Sequence, residues 1–513
     1  MLVVTAIWWL LFWAAFGLCI GSFLNVVICR LPRDQSLRDP VWSYCPNCLH
    51  RIRWYDNLPV VSFVLLGGRC RDCRAPISAR YPVVEMAAAL VILAVFDAFF
   101  IARTRRAGLC GEPYLTWALA EDWPIFLAHA ALFACLLAMA AIDLRHYWVD
   151  IRFTTVATWF GFVLHTLWTP YHSLADPAGQ DGWLRPADPT ATGALGALAG
   201  LGIVWLWARM RHRPEPVPDG NGGFRSDVPD PASRPDESSG ELAPGHLDEA
   251  LSDQPPVPAH RSLWSAVVVG LILLGMLVTM GLDAADPASS PLPTLRSLVP
   301  IALVFVLILA EASVPRRADQ EIIEAIEAER FSARRMALAE LATLLPAIAL
   351  GALAVWVQLS DAALGQRLTD LLHCRVGFAW QPLHGLSTAA AGYVIGGGIG
   401  WAVRIVFTLV FGKEAFGLGD IHMMAAAGCV AGWPVVLLGF LITIFVALIA
   451  WLAMLPFKRT RAIPLVPWLA LGYLVVVIHY ESLLEFPPVR NTIEVVNVLI
   501  LDKSQPLTFG VPQ

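Results

Sequence analysis

The sequence predicts an all-α fold, a polytopic bundle of transmembrane helices that carries one polar loop with paired cysteines. Of its 513 residues, 57% are hydrophobic and only 15% are charged, whereas soluble domains are about one quarter charged. The apolar residues form runs of about 17–25 residues, long enough to cross a hydrocarbon core of about 30 Å. Four of the ten cysteines form two C-x-x-C pairs in a polar segment.

The apolar runs predict about twelve helical segments. They span residues 5–28, 82–102, 124–142, 151–169, 191–209, 263–285, 297–315, 341–359, 387–411, 421–432, 434–456 and 463–480. The first segment lacks a basic n-region and a small-residue cleavage site, so we interpret it as a permanent span and not as a signal peptide. The segment at 421–432 is short for a span and need not cross the membrane alone.

Three stretches interrupt the apolar pattern. Residues 30–80 form a polar loop rich in arginine. Residues 210–260 are rich in Pro, Asp, Glu, Ser and Gly and poor in aromatic residues, a composition that predicts disorder. Residues 316–336 combine charges with scattered apolar residues, which predicts a charged helix that is either a membrane-surface helix or a solvated linker.

The distribution of basic residues predicts the orientation, because Lys and Arg accumulate in cytoplasmic loops. Three loops are basic: they contain Arg30, Arg33, Arg38, Arg51, Arg53, Arg69, Arg71, Arg74 and Arg80; then Arg316, Arg317, Arg330, Arg334 and Arg335; then Lys458, Arg459 and Arg461. The segment count allows all three to be cytoplasmic. Arg103, Arg105 and Arg106 would then face the other side, and the three basic loops outweigh them.

The paired cysteines predict a metal site. Cys45 and Cys48 are separated by 21 residues from the second pair, Cys70 and Cys73. Two C-x-x-C turns present four thiolates to one tetrahedral Zn²⁺ ion, which is usually structural. Disulfides are the alternative, but the predicted cytoplasmic location argues against them because the cytosol keeps thiols reduced.

Two aspartates lie at the predicted cytoplasmic ends of apolar segments. Asp143 follows the apolar run 131–142, and Asp420 ends the sequence Gly417-Leu418-Gly419-Asp420. Each one alone fits an interfacial or helix-capping acid, as we interpret Asp150, which precedes a predicted helix. An acid at the membrane edge is nevertheless costly enough to suggest a function, and glycines allow the backbone to approach a neighbour or a substrate closely.

A pair of close carboxylates has a known chemistry. Two such groups do not ionise together easily, so one keeps a proton while the other is charged. The charged group acts as a general base on water, and the protonated group polarises the carbonyl of the bond to be cleaved. The sequence therefore suggests an aspartyl protease, although a G-x-G-D pattern by itself is a weak signal.

Several blocks of the sequence resemble, in order, those of the bacterial type IV prepilin leader peptidase/N-methyltransferases, a GxGD-type aspartyl protease family. The blocks are Gly21 to Pro32, Cys45 to Glu85, Ala141 to Asp143, Gly412 to Asp420 and Ile463 to Pro467. The resemblance covers roughly residues 1–170 and 385–485.

The resemblance implies a bacterial inner-membrane enzyme, multi-pass, with its active site facing the cytoplasm. Such an enzyme removes the leader of prepilins and pseudopilins, then transfers a methyl group from S-adenosylmethionine to the new N-terminus. Asp143 and Asp420 take the catalytic positions. Four cysteines take the zinc positions: Cys45, Cys48, Cys70 and Cys73. The implied partners are these substrates and membrane lipid, with no nucleic acid; the oligomeric state and the S-adenosylmethionine contacts are not predicted.

The resemblance also implies a domain organisation. We expect a first span (1–28), a cysteine loop (29–81), a first core part with Asp143 (82–170), an inserted region (190–385), a second core part with the GxGD sequence (386–482) and a tail (483–513). The insertion adds about four spans, an even number, so Asp420 returns to the cytoplasmic side. Val149 replaces a proline usual in the family, and Ala415 and Leu418 stand where Gly and Tyr are frequent.

Two alternatives stay open. The chain could be a peptidase without methyltransferase activity, which the residues alone do not exclude. It could also be a transporter or scaffold with a zinc-bearing loop. A transporter would be expected to carry charged or polar residues at the middle of its spans, and the sequence has few: Glu311 and Glu340 lie near segment ends.

Overall fold

The computed structural model describes most of the predicted helices. It describes residues 2–33, 35–102, 115–147, 149–168, 188–211, 270–271, 273–280, 298, 301–306, 308, 333–374, 381–414, 416–454, 464–489 and 491–492. Most of three predicted features, the disordered segment 210–260, the charged helix 316–336 and the tail 483–513, lies outside the described residues, and so do most residues of the segments at 263–285 and 297–315.

The described chain is all-α, as predicted, with two isolated β-bridges and no strand among the described residues. In chain order, its helices are α1 (Leu2–Arg30), α2 (Val61–Leu65), α3 (Arg80–Phe96), α4 (Leu115–His146), α5 (Ile151–Leu167), α6 (Asp188–Arg211), α7 (Ala333–Ser360), α8 (Ala362–Leu372), α9 (Pro382–Phe411), α10 (Leu418–Ala431), α11 (Trp433–Met454), α12 (Val466–Ile478) and α13 (Tyr480–Glu485). A π-helical turn at Asp97–Ile101 extends α3, and two short helical pieces lie at 273–280 and 301–306.

Seven of the described helices are long and apolar enough to cross a membrane: α1, α3, α4, α6, α7, α9 and α11. The helices α10 and α12 are apolar but shorter, in agreement with the short predicted segment at 421–432. These helices indicate a membrane protein. The predicted number of about twelve segments stays a prediction, because part of that count falls outside the described chain.

Helix α10 occupies the centre of the bundle. Nearly all of its residues after Asp420 are buried, and it contacts α4, α5, α9, α11 and α12. Its contact with α9 depends on glycine: a Cβ atom at Gly428 would lie 2.1 Å from the Gly392 carbonyl oxygen. Small residues allow helices in membranes to approach this closely, so the glycine pair places α10 directly against α9.

The helices of the predicted insertion pack on the rest of the bundle. Helices α6 and α7 contact each other and α9. At Gly200 of α6, a Cβ atom would lie 2.5 Å from the Ala347 Cα atom of α7, and Ala194 is buried in one cluster with Ala390 of α9. The pair α6–α7 is therefore joined to the part of the chain that carries the GxGD sequence.

Candidate active site and metal centre

Asp143 lies in the last helical turn of α4. Its side chain is buried, and the backbone amide of Val466, at the start of α12, donates a hydrogen bond of 3.2 Å to its Oδ2 atom. The helix ends three residues later, at His146, and the next residue, Tyr147, adopts a left-handed φ of 49°. The end of α4 therefore presents the Asp143 carboxylate to the start of α12.

Asp420 lies in the first turn of α10. The helix begins after Gly417, which has no side chain to cap it. A Cβ atom at Gly417 would lie 3.1 Å from Oδ2 of Asp420, so a larger residue at this position would crowd the carboxylate. The sequence Gly417-Leu418-Gly419 thus leaves space around Asp420, which is half-buried.

The two aspartates line one cavity of about 260 Å³. The other residues that line it are Tyr147, Val149, Gly417, Gly419 and Leu465. Three separate parts of the chain meet there: the end of α4 and its following turn, the segment that leads into α10, and the segment before α12. The structure therefore brings together the two carboxylates that the sequence singled out, in a space large enough for a water molecule and part of a peptide chain.

Two cavity residues, Val149 and Gly419, lie in close contact. A Cβ atom at Gly419 would lie 2.6 Å from Cβ of Val149, which is too close for any residue but glycine. Val149 belongs to the turn between Asp143 and Asp150, so this contact fixes the distance between that turn and the first turn of α10. Sequence reasoning noted Val149 only as a departure from the family pattern and missed this contact.

Asp150 has the helix-capping role that its position predicted. It precedes α5, and its side chain accepts hydrogen bonds of 2.8 Å from both the backbone amide and the Nε atom of Arg152. A capping aspartate satisfies a backbone amide that has no partner within the helix. The structure therefore separates Asp150, an acid with a local structural role, from the two acids of the cavity.

The paired cysteines form two knuckles of the same geometry. In the first, the amide of Cys45 donates to the His50 carbonyl over 3.0 Å; in the second, the amide of Cys70 donates to the Ala75 carbonyl over 2.8 Å. Each knuckle turns through a residue with positive φ, at Leu49 and at Arg74, and closes with a β-bridge. The following residues form the bridges: Tyr44 with Arg51, and Arg69 with Pro76.

The knuckles bring their four sulfur atoms into one cluster. The Sγ atoms of Cys45, Cys48, Cys70 and Cys73 all lie within 4.8 Å of one another, and those of Cys45 and Cys73 are 3.8 Å apart. A disulfide would need about 2.05 Å, whereas a tetrahedral Zn–S distance of about 2.3 Å gives sulfur separations of about 3.8 Å. The cluster therefore fits a metal ion better than it fits disulfides.

The electrostatics of the cluster also suit a cation. Burial raises the pKa of the Cys45 thiol to about 12. The Asn47 side-chain amide donates to Cys73 Sγ over 3.5 Å and lowers the pKa of that thiol to about 6. A bound metal ion would favour the thiolate form of all four side chains, so it would offset the burial of Cys45.

Three polar contacts hold the cysteine loop to itself and to α3. The Arg71 guanidinium donates to both carboxylate oxygens of Asp56, over 2.8 and 2.6 Å, and lowers the pKa of Asp56. The amide of Val60 donates to Glu85 Oε2 over 2.7 Å. These residues carry part of the sequence resemblance, and the structure gives Asp56 and Glu85 a role in the placement of the loop.

Comparison with known proteins supports the resemblance that the sequence motifs indicated. Residues 15–99 match the family model described as the Bacterial Peptidase A24 N-terminal domain. This range contains the second half of α1, the cysteine loop and α3. The predicted family resemblance is confirmed. No solved structure matches the chain.

Curated prepilin leader peptidases are similar to this chain beyond that domain. A prepilin leader peptidase/N-methyltransferase of Myxococcus xanthus is 37% identical over 180 residues, 35% of this chain and 44% of the relative. A type 4 prepilin-like proteins leader peptide-processing enzyme of Escherichia coli is 39% identical over 29% of this chain and 53% of the relative. A prepilin leader peptidase/N-methyltransferase of Aeromonas hydrophila is 29% identical over 40% of this chain and 84% of the relative. The chain thus spans about half the length of the first two relatives.

Proposed function

We propose that this chain is a membrane aspartyl endopeptidase that removes leader peptides from prepilins and pseudopilins. The observation that carries the proposal is the cavity that Asp143 and Asp420 line together. The names of the similar proteins supply the substrate class, since they process prepilin leaders. We infer Asp143 and Asp420 as the catalytic residues because they are the carboxylates that line this cavity among the described residues.

The proposed mechanism uses one carboxylate as a base and the other as an acid. The ionised carboxylate removes a proton from a water molecule in the cavity, and the resulting hydroxide attacks the carbonyl carbon of the scissile peptide bond. The protonated carboxyl group donates a hydrogen bond to the carbonyl oxygen, where negative charge develops. The carboxyl group that took the proton from water then transfers it to the leaving amine, the C–N bond breaks, and the leader is released.

The order of the helices supports a cytoplasmic site. The cysteine loop follows α1, and α3 leads away from it. Helix α4 returns and ends next to Asp143, on the side of the loop. Helix α9 likewise ends just before the GxGD sequence. Because the loop is rich in arginine, the positive-inside rule favours the cytoplasmic face of a bacterial inner membrane for this whole side.

We further propose a second activity, N-methylation of the new N-terminal residue with S-adenosylmethionine as donor. Two of the relatives described above are named as peptidase and N-methyltransferase. We assign a structural Zn²⁺ ion to Cys45, Cys48, Cys70 and Cys73, which would hold the two knuckles together, as four thiolates bind this ion in structural sites. The domain boundaries of the sequence analysis are part of this proposal.

The two alternatives make different demands on the structure. A peptidase without methyltransferase activity would keep the aspartate cavity and need no donor site, so only product analysis separates it from the favoured function. A transporter or scaffold gives no reason for two carboxylates to share one cavity at the end of the helices. The cavity therefore favours the peptidase.

The test is leader cleavage of a co-expressed prepilin, read by mass spectrometry. We expect Asp143→Asn and Asp420→Asn each to abolish cleavage, because amides replace the proton-transferring carboxyl groups, while both proteins still insert into the membrane. Asp150→Asn is the matched control: asparagine also caps helices, so cleavage should persist. Normal cleavage by either cavity variant would contradict the proposal.

A further inference from the structure

A buried arginine connects the inserted region with the segment that leads to Asp420. Arg404 lies in α9, about two helical turns before Phe411, where the helix ends. Its side chain is only 3% exposed. A buried guanidinium is costly unless other groups pair with it and accept its hydrogen bonds, so the partners of Arg404 determine what its burial achieves.

The partners come from two different parts of the chain. Both carboxylate oxygens of Glu340, in α7, accept hydrogen bonds from Arg404, from Nε over 2.9 Å and from Nη2 over 2.8 Å. The remaining nitrogen, Nη1, donates to Glu414 Oε1 over 2.5 Å and to the Phe416 carbonyl oxygen. The planar guanidinium thus has a bidentate partner in the insertion and two partners in the segment between α9 and α10.

That segment sets the position of Asp420. It begins at Gly412, whose φ of 66° turns the chain out of α9, and it continues to Gly417, the residue before α10 begins. Glu414 and Phe416 are the members of it that Arg404 holds. Arg334, in the first turn of α7, also lies beside Gly412, with its Nε atom 3.4 Å from where a Cβ atom would stand.

The inserted helix α7 is held in place by close packing against its neighbours. Helix α7 packs closely on α6, where a Cβ atom at Gly196 would lie 2.6 Å from the Leu350 carbonyl oxygen. The end of α8 is also joined to the first residue of α6, since Thr369 and His373 each contact the Asp188 carboxylate over 2.9 Å. Glu340 is therefore presented by a packed helix.

We propose that Arg404 is a positioning residue for the aspartate site and that Glu340 makes this site depend on the inserted helix α7. Glu340 orients the guanidinium, and the guanidinium orients the segment 412–417 and, through it, Asp420. The inference rests on the proposed peptidase function. It gives the insertion a role in the reaction, although no described residue of the insertion lines the cavity.

The kinetic test compares Glu340→Gln with the wild-type protein in membranes that carry a prepilin substrate. We expect kcat for cleavage to fall roughly tenfold with little change in KM, the order expected when a charge-assisted contact that positions a catalytic group is weakened. Glu414→Gln, on the other side of Arg404, should have the same effect. Asp370→Asn, an exposed acid of the insertion, is the matched control and should keep the wild-type kcat.

A second measurement does not depend on activity. Lysine occurs only at positions 413, 458 and 503, so endoproteinase Lys-C has one site within the segment 412–417. We expect cleavage after Lys413, relative to cleavage after Lys458, to be about threefold faster or more in Glu340→Gln, because the segment opens more often once its anchor is weakened. Asp370→Asn should match the wild-type ratio.

The outcomes separate this inference from the proposed function. If the wild-type protein cleaves the prepilin while Glu340→Gln keeps both the wild-type kcat and the wild-type Lys-C ratio, the inference is wrong and the proposed function stands. If the wild-type protein does not cleave the prepilin, the proposed function is wrong, and so is the proposal that Arg404 and Glu340 position its active site. The Lys-C ratio then decides whether Glu340 holds the segment at all.

Discussion

Only glycine fits at position 419, and the reason is steric and independent of catalysis. The nearest atoms to a Cβ atom there would all belong to the Val149 side chain, at 2.6, 2.9 and 3.2 Å. Because the cavity lies directly beside this contact, a methyl group at 419 must push the turn after α4 away from α10. The carboxylates of Asp143 and Asp420 would then move apart, and catalytic groups act only within narrow limits of distance.

At this scale we predict that Gly419→Ala lowers the rate of leader cleavage by about a hundredfold, the order known for a displacement of about 1 Å. Val149→Gly removes the opposing side chain, so the double variant Gly419→Ala/Val149→Gly should recover part of the rate. Gly202→Ala is the control, because no atom lies within 4 Å of a Cβ atom there. A wild-type rate for Gly419→Ala alone would contradict the steric argument.

The cysteine loop is the element whose stability depends most on a ligand. Its helical content is small, with α2 and two 3-10 turns, at Leu31–Arg33 and Trp54–Asn57. Many of its apolar side chains are exposed, among them Trp54 at 80% and Leu65 at 79%. A segment with so little buried apolar surface gains little from the hydrophobic effect. Metal binding would supply the missing free energy, as it does in other small metal-bound domains.

For this element we predict that Cys45→Ser and Cys70→Ser lose the metal and reduce N-methylation more than leader cleavage, because the knuckles lie apart from the aspartate cavity in the chain. Zinc per protein is measured by elemental mass spectrometry, and the two activities are read from the mass of the processed pilin. Cys374→Ser, an exposed cysteine outside the cluster, should change neither. An unchanged zinc content in the cluster variants would refute the metal site.

The sequence predicted the features that depend on local pattern. The apolar runs gave the main helices, the C-x-x-C spacing gave the sulfur cluster, and the position of Asp150 before a helix gave its capping role. It did not predict the contacts that join distant segments. The pairing of Arg404 with Glu340 spans 64 residues, and the Val149–Gly419 contact joins the two halves of the site across the insertion. Neither has a periodic signal, because both depend on how the finished helices pack.

The whole molecule should place both aspartates and the cysteine loop on one side of the membrane and the end of α7 on the other. Helix α7 has 28 residues and is about 42 Å long at 1.5 Å per residue, enough to cross. Glu340, near its start, lies with the aspartate site, so α8 after its end belongs to the opposite face. Trp54 in the loop and Gln366 in α8 are both exposed and serve as reporters.

We therefore predict opposite labelling of two single variants by a membrane-impermeant maleimide, in a background with Cys29, Cys110 and Cys374 replaced by serine. Gln366→Cys should react in intact spheroplasts, because the periplasmic face is open to the reagent. Trp54→Cys should react only after the membrane is permeabilised, because the proposed orientation places the basic loop in the cytoplasm. The same labelling of both variants in intact spheroplasts would contradict the arrangement. It would place the loop and the end of α7 on one face of the membrane, so α7 would not span it.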